Sequence, residues 1–201
     1  MSYPVTLTIE YPERLSPGWV VLKVLFGWLY VGIPHGICLW LYGIAVGIVT
    51  FITFWAILFT GKFPRGMFDF VVGYMRWSNN VNAYYSYLLR DEYPPFSGEQ
   101  KEGYPVTLTV EYPERLSRGW LLLKVLFGWL YVGIPHGICL WLYGIGAGVV
   151  IFIAFWAILF TGKYPRGMYD FVVGYIRWSN NVSAYLLLLR DEYPPFSGEQ
   201  K

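Results

Sequence analysis

Charge is the first thing this chain lacks. Only 14% of its 201 residues are charged, against about 25% in soluble domains. Residues 24–61 carry no formal charge at all, and residues 125–162 repeat that stretch almost unchanged. The lysines and arginines form no long run and the formal net charge is +2, which excludes an electrostatic nucleic-acid surface. Cysteine and histidine are equally scarce. The two cysteines, Cys38 and Cys139, sit deep in apolar sequence, too few for a disulfide framework or a zinc set, and read as small core hydrophobes. There is no phosphate loop, no CxxC and no Ser-His-Asp arrangement, so the chain is read as a non-enzyme without a metal or organic cofactor.

Apolar and aromatic residues are what it has instead. Hydrophobic residues make up 56% and aromatics 21%, with ten Trp and eighteen Tyr. Rings with one apolar and one wet end gather at the membrane–water interface. As a helix, residues 24–61 would be ~57 Å long at ~1.5 Å per residue, against a bilayer core of ~30 Å. That is long for one straight span and short for two. The expected home is therefore a membrane, the prokaryotic cell membrane or a membrane-derived structure, with bound phospholipid as the one expected ligand. The polar, proline-bearing residues 3–13 do not resemble a cleavable leader, so insertion is expected to rely on the internal apolar stretch.

The chain is built twice. Residue i matches i+101 from Tyr3/Tyr104 to Tyr84/Tyr185; the second copy then drops one residue, and the offset is 100 from Leu88/Leu188 onward. Two repeats follow, 1–101 and 102–201, joined by the polar, glycine-bounded SGEQKEG. Near-identical copies are expected to make equivalent contacts in a pseudo-symmetric arrangement.

Within each copy the order is a short strand and three helical stretches, a mainly α membrane protein in tandem duplication. YPVTLTIEY alternates Val5, Leu7 and Ile9 with polar residues, and Val106, Leu108 and Val110 repeat the pattern. These strands must pair somewhere, with each other or with a neighbouring subunit. Unpaired edges would make them assembly strands that add one molecule to the next. Residues 19–32 predict an interfacial or re-entrant helix whose Lys23 snorkels to the headgroups. Pro34 is expected to break or kink it, and residues 34–59 to form a transmembrane helix with a small-residue face. Charge placement favours a hairpin or re-entrant loop over a single span, because it puts the basic flanks of both copies on one side.

Residues 64–89 predict a long amphipathic helix. At 100° per residue, Asp69, Gly73, Arg76 and Asn80 form a narrow polar seam, repeated by Asp170, Arg177 and Asn181. An Asp69–Arg76 ion pair is expected there, as a structural or subunit contact. His35 and His136, set after prolines inside the apolar stretch, are candidate intramembrane polar sites; a neutral imidazole bonded to a carbonyl freed by the proline is favoured over a ligand. The adjacent carboxylates Asp91 and Glu92, and Asp191 and Glu192, read as a solvated cap in a polar tail.

The stretch TGKYPRGMYDFVVGYIRWSNNVSAYLLLLRDEYPPFSGE at residues 161–199 resembles domain-of-unknown-function family 4389, small prokaryotic membrane proteins sharing ILFTG-[KR]-YPRG, DFVVG, RW, AYLLLL and DEYPPF. IPH at 134–136 and YPERLSRG at 112–119 also fit. The first copy departs at Tyr85-Ser86-Tyr87, where the pattern has leucines. The resemblance implies a membrane protein and brings no activity or catalytic residues. The function expected from these features is a structural membrane protein that self-associates with lipid into a larger, tubular or filamentous homo-oligomer. The alternative is a small channel, transporter or accessory subunit with His35, His136 and the polar seam on its pathway.

Overall fold

The computed structural model describes residues 3–199. The chain is mainly helical, in two halves of the same order. Strand β1 (Val5–Ile9) precedes helix α1 (Pro17–Thr60) and helix α2 (Arg65–Val81, extended by a wide turn over Asn82–Ser86). Strand β2 (Val106–Val110), helix α3 (Arg118–Thr161) and helix α4 (Arg166–Leu186) repeat them.

Helices α1 and α3 are each 44 residues long and apolar enough to cross a membrane. The expected break at Pro34 does not occur. Backbone angles stay right-handed helical from Gly27 to Ile33, through a π turn at Trp28–Gly32, so the chain does not reverse into a hairpin. The π turn widens the backbone just before the proline, and Ile33 N–H reaches Trp28 O. The carbonyl that Pro34 leaves without an amide partner in α register is Tyr30 O. It accepts instead from Tyr93 Oη at 3.0 Å, and Tyr131 O accepts from Tyr193 Oη at 3.1 Å. Helix α1 ends where Gly61 takes a left-handed φ of +72° and donates to Ile57 O; Gly162 does the same for α3 at +68°.

A second π turn explains the one-residue offset between the copies. Asn82–Ser86 is π-helical in the first copy, whereas α4 runs on as α-helix to Leu186. The extra residue is absorbed as a bulge, so Leu88 and Leu188 reach the same left-handed turn, φ +55° and +64°, with both side chains buried.

The strands pair with each other. β1 runs antiparallel to β2 with Leu7 opposite Leu108. Val5, Leu7, Ile9, Val106, Leu108 and Val110 are all buried, while Thr6, Thr8 and Thr109 face out. Glu10 N–H bonds Pro105 O and Glu111 N–H bonds Pro4 O, both 2.9 Å. By antiparallel alternation the residues two along, Thr8 and Thr6, carry the ladder, and Leu7 and Leu108 point their backbone groups outward. Those outer edges are not free. Arg177 Nε donates to Leu7 O at 2.9 Å and Arg76 Nε to Leu108 O at 2.8 Å. An arginine of the same chain thus takes one carbonyl on each of the edges expected to be open for assembly. At the ribbon ends, where Pro4 and Pro105 have no amide to give, Arg190 Nη1 and Arg90 Nη1 supply the missing donor to Glu111 O and Glu10 O.

The two halves are related by a pseudo-two-fold axis through the ribbon centre, and the contacts across it are reciprocal. Leu15 N–H bonds Gly162 O and Leu116 N–H bonds Gly61 O. Tyr11 donates to Tyr164 O and Tyr112 to Phe63 O. The start of α1 packs on the later part of α3, and the start of α3 on the later part of α1. Each long helix thus begins beside the other's end. Helix α2 packs on α1 and β2, and α4 on α3 and β1, so the copies interlock instead of folding as beads.

Candidate functional site

The polar groups collect at two kinds of place: on the pseudo-two-fold axis, and under the segment that follows α2 and α4. On the axis, Asn79 and Asn180 exchange hydrogen bonds, each Nδ2 reaching the other's Oδ1 at 2.8 and 2.9 Å. The second hydrogen of each amide goes back to Met75 O or Ile176 O, 2.8 Å in both cases. Both residues are buried. Asn79 sits four residues after Met75, on the stripe that also carries Val72. A polar residue in an apolar helical stripe was the available signal for this contact.

The neighbouring seam behaves differently from its expected pairing. Asp69 bonds Arg65 at 3.0 Å and Asp170 bonds Arg166 at 3.0 Å, all four largely exposed, so Asp69–Arg76 and Asp170–Arg177 are not ion pairs. The side chains part because Arg76 and Arg177 are drawn onto the ribbon carbonyls. Asn80 and Asn181 are buried one position away from the amide exchange. Asp69→Asn is expected to cost at most about 0.5 kcal/mol, as for other exposed pairs four apart. Arg177→Met, which strands the Leu7 carbonyl, is expected to cost about 1–3 kcal/mol. Chemical denaturation of the two variants checks the order; equal losses would mean that the arginine does not hold the ribbon edge.

The segment after each helix pair is a strap, not a solvated tail. Arg90 forks onto Glu92, Nη2–Oε1 2.6 Å and Nε–Oε2 2.9 Å, and Arg190 grips Glu192 in the same way. Burial raises the Glu92 carboxyl pKa, and the Arg90 guanidinium together with backbone N–H groups of Asp91 and Glu92 more than offsets this, leaving it below the usual carboxylate range. Asp91 accepts from Ser16 N–H at 2.7 Å and from Lys23 Nζ at 2.6 Å. Lys23 does not snorkel. Its side chain is fully buried, bonded also to Arg90 O at 2.5 Å and set over the Tyr84 ring at 4.3 Å. Lys124, Asp191, Arg190 O and Tyr185 repeat the arrangement. The only charge in the apolar residues 19–32 was the clue in the sequence.

The strap also closes over the histidines. His35 Nδ1 accepts from Trp77 Nε1 at 2.9 Å, Nε2 faces Tyr93 Oη at 3.2 Å, and Phe96 stacks on the imidazole with centroids 3.8 Å apart. Since Tyr93 gives its proton to Tyr30 O, His35 is the neutral Nε2–H tautomer. The proline-freed carbonyl is thus met by Tyr93, with the histidine one bond behind it. His136 accepts from Trp178 at 2.9 Å under Phe196 at 3.9 Å. Both imidazoles are closed off from solvent. Among the described residues no group of three His, Cys, Asp or Glu is placed to hold a metal.

These features define a class: a duplicated helical unit with a pseudo-two-fold ribbon, two helices of membrane-crossing length, and a strap that seals one lysine and one histidine in each half. The chain belongs to the family described as Domain of unknown function (DUF4389), whose model matches twice, at residues 22–98 and 123–198. Each match holds a histidine, its tryptophan partner and the strap that covers both. No curated protein and no solved structure matches the chain.

Proposed function

We propose that this is a structural membrane protein that sits in one leaflet, self-associates there with lipid, and shapes the membrane. The observation that carries the reading is the pseudo-two-fold axis through the ribbon. Were the axis to lie in the membrane plane, the ribbon on it would sit at mid-bilayer, with Thr6, Thr8, Thr109, Glu10 and Glu111 exposed to hydrocarbon. The axis therefore runs along the membrane normal, and residues that it relates share a depth. Residues 17 and 118 are then level, as are 60 and 161. The Leu15–Gly162 bond equates the first pair with the second. All four ends of the two ~66 Å helices lie at one depth, so neither helix crosses the bilayer from end to end.

Their surfaces support this. In the most apolar stretch of each long helix only 11% is buried, where the core helix of a soluble protein would be mostly covered. Trp40, Phe51 and Phe59 are 67%, 65% and 71% exposed. The basic residues Lys62, Arg65, Lys163 and Arg166 gather at the helix ends, at headgroup level. A wedge this broad in a single leaflet expands that leaflet and favours curvature. With the two strands paired to each other and an arginine on each outer edge, self-association is assigned to the lipid-facing helices and not to strand addition.

Single cysteines at Lys62, Ser97 and Lys163, with Cys38 and Cys139 replaced by alanine, test the topology in sealed vesicles. All three are expected to react with a membrane-impermeant maleimide from the same side. Labelling of Lys62 and Lys163 from opposite sides would restore a transmembrane crossing. Electron micrographs of the same vesicles are expected to show tubes or small, strongly curved vesicles; unchanged spheres with the protein inserted would remove the shaping role.

A further inference from the structure

Between α2 and α4, on the pseudo-two-fold axis, lies a cavity of about 320 Å³. Its floor is the Asn79–Asn180 exchange, and Ser78, Ser179, Ser183 and Tyr87 line its walls. No charged side chain is among its lining residues. In each asparagine both amide hydrogens are spent, while Oδ1 accepts a single bond from the other asparagine and keeps a lone pair. Among the described residues the hydroxyls of the three serines and of Tyr87 make no hydrogen bond to another protein group.

The cavity faces away from the ribbon. Ser78 follows Arg76 by two residues and Ser179 follows Arg177 by two, about 200° round the helix, and both arginines reach the ribbon. With the ribbon in water, the cavity opens toward lipid, and this step rests on the orientation proposed above. A concentration of unpaired hydroxyls there costs free energy unless something hydrogen-bonds to it. A phosphate-type headgroup would enter without a cation to pair with. A polyol enters with donors and acceptors to match, and an aromatic wall suits the C–H face of a sugar ring.

We propose that this cavity is a headgroup site for an uncharged, hydroxyl-bearing lipid, the sugar of a glycolipid. Tyr87 and Asn82 of the first copy stand where the second has Leu187 and Ser183, so the site is lopsided and takes one ligand per chain.

The test uses the full chain in a phosphocholine detergent, which carries no sugar, and in phosphatidylcholine vesicles with or without glucosyl diacylglycerol. Lipid retained after extraction is counted. The glucosyl lipid is expected to be enriched at least about tenfold over phosphatidylcholine, at one per chain, and Ser78→Val with Ser179→Val to remove about tenfold of that preference while flotation with vesicles stays intact. Should the double variant not fold, Ser183→Leu narrows the cavity from α4 alone and carries the same expectation. Methyl glucoside competing as tightly as the glucosyl lipid would make a free sugar the ligand. Equal retention of both lipids, or full retention by the variants, overturns the site. Loss of flotation with glucoside still bound in detergent would instead overturn the membrane reading alone.

Discussion

Replacing Asp91 with alanine is expected to destabilise the protein by about 3–5 kcal/mol, because it leaves Lys23 charged and unpaired inside the helices. The lysine has no exposed side-chain surface, and its other contacts are one carbonyl, Arg90 O, and the Tyr84 ring. Neither neutralises an ammonium. The same change also frees Ser16 N–H at the start of α1. A loss of this size is a large share of the 5–15 kcal/mol that holds a typical domain, so the strap should detach from α1 before the rest unfolds. Lys23→Met with Asp91→Asn removes the charge and keeps an acceptor for Ser16, and is expected to recover most of the loss. Denaturant titration in detergent, followed by hydrogen exchange across residues 88–98, separates strap release from global unfolding. A single Asp91→Ala variant within about 0.5 kcal/mol of the parent would mean that Lys23 finds water or headgroups after all.

That pair also marks the limit of what the sequence discloses. Periodicity places both strands and the helical stretches, though it divides the long helix at Pro34, because alternation at Val5, Leu7 and Ile9 and the long apolar runs are local signals. The duplication is equally legible, and with it the expectation of symmetry. Which surfaces meet is not. Pro34 predicts a break by its missing amide, yet Tyr93, 59 residues later in the chain, supplies the bond that keeps the helix whole. Asp69 and Arg76 share a helix face and still part, since a carbonyl on β2 outcompetes an exposed carboxylate for the guanidinium. Asp91 looks solvated from its neighbours Arg90 and Glu92 and is claimed by a lysine 68 residues upstream. In each case the deciding partner is remote in sequence and polar, so no local pattern announces it. The site on the axis is hidden for a further reason: half of it comes from each copy, and a single repeat read alone contains no cavity.

The strap's path can be tested where it leaves least room. Gly198 crosses helix α4 at Gly174, and a Cβ built at Gly198 would lie 1.9 Å from Gly174 O and 2.4 Å from its carbonyl carbon. Gly98 over Gly73 is nearly as close, at 2.5 Å. The obstacle is helical backbone, which cannot swing aside as a side-chain tip does, so Gly198→Ala must lift the strap. Lifting it draws Phe196 off His136 and opens the imidazole, now fully buried, to water. The expected cost is about 1–3 kcal/mol, the range for forcing extra atoms into a packed site, with faster amide exchange confined to the segment around residues 190–198. Gly167→Ala is the control. A Cβ there meets nothing within 4 Å, and alanine in a helix gains about 0.5–1 kcal/mol over glycine. Opposite signs for the two substitutions would tie stability to the backbone crossing. A neutral Gly198→Ala, with Phe196 still protecting His136, would show that the strap reaches the histidine by a looser route than this close glycine contact.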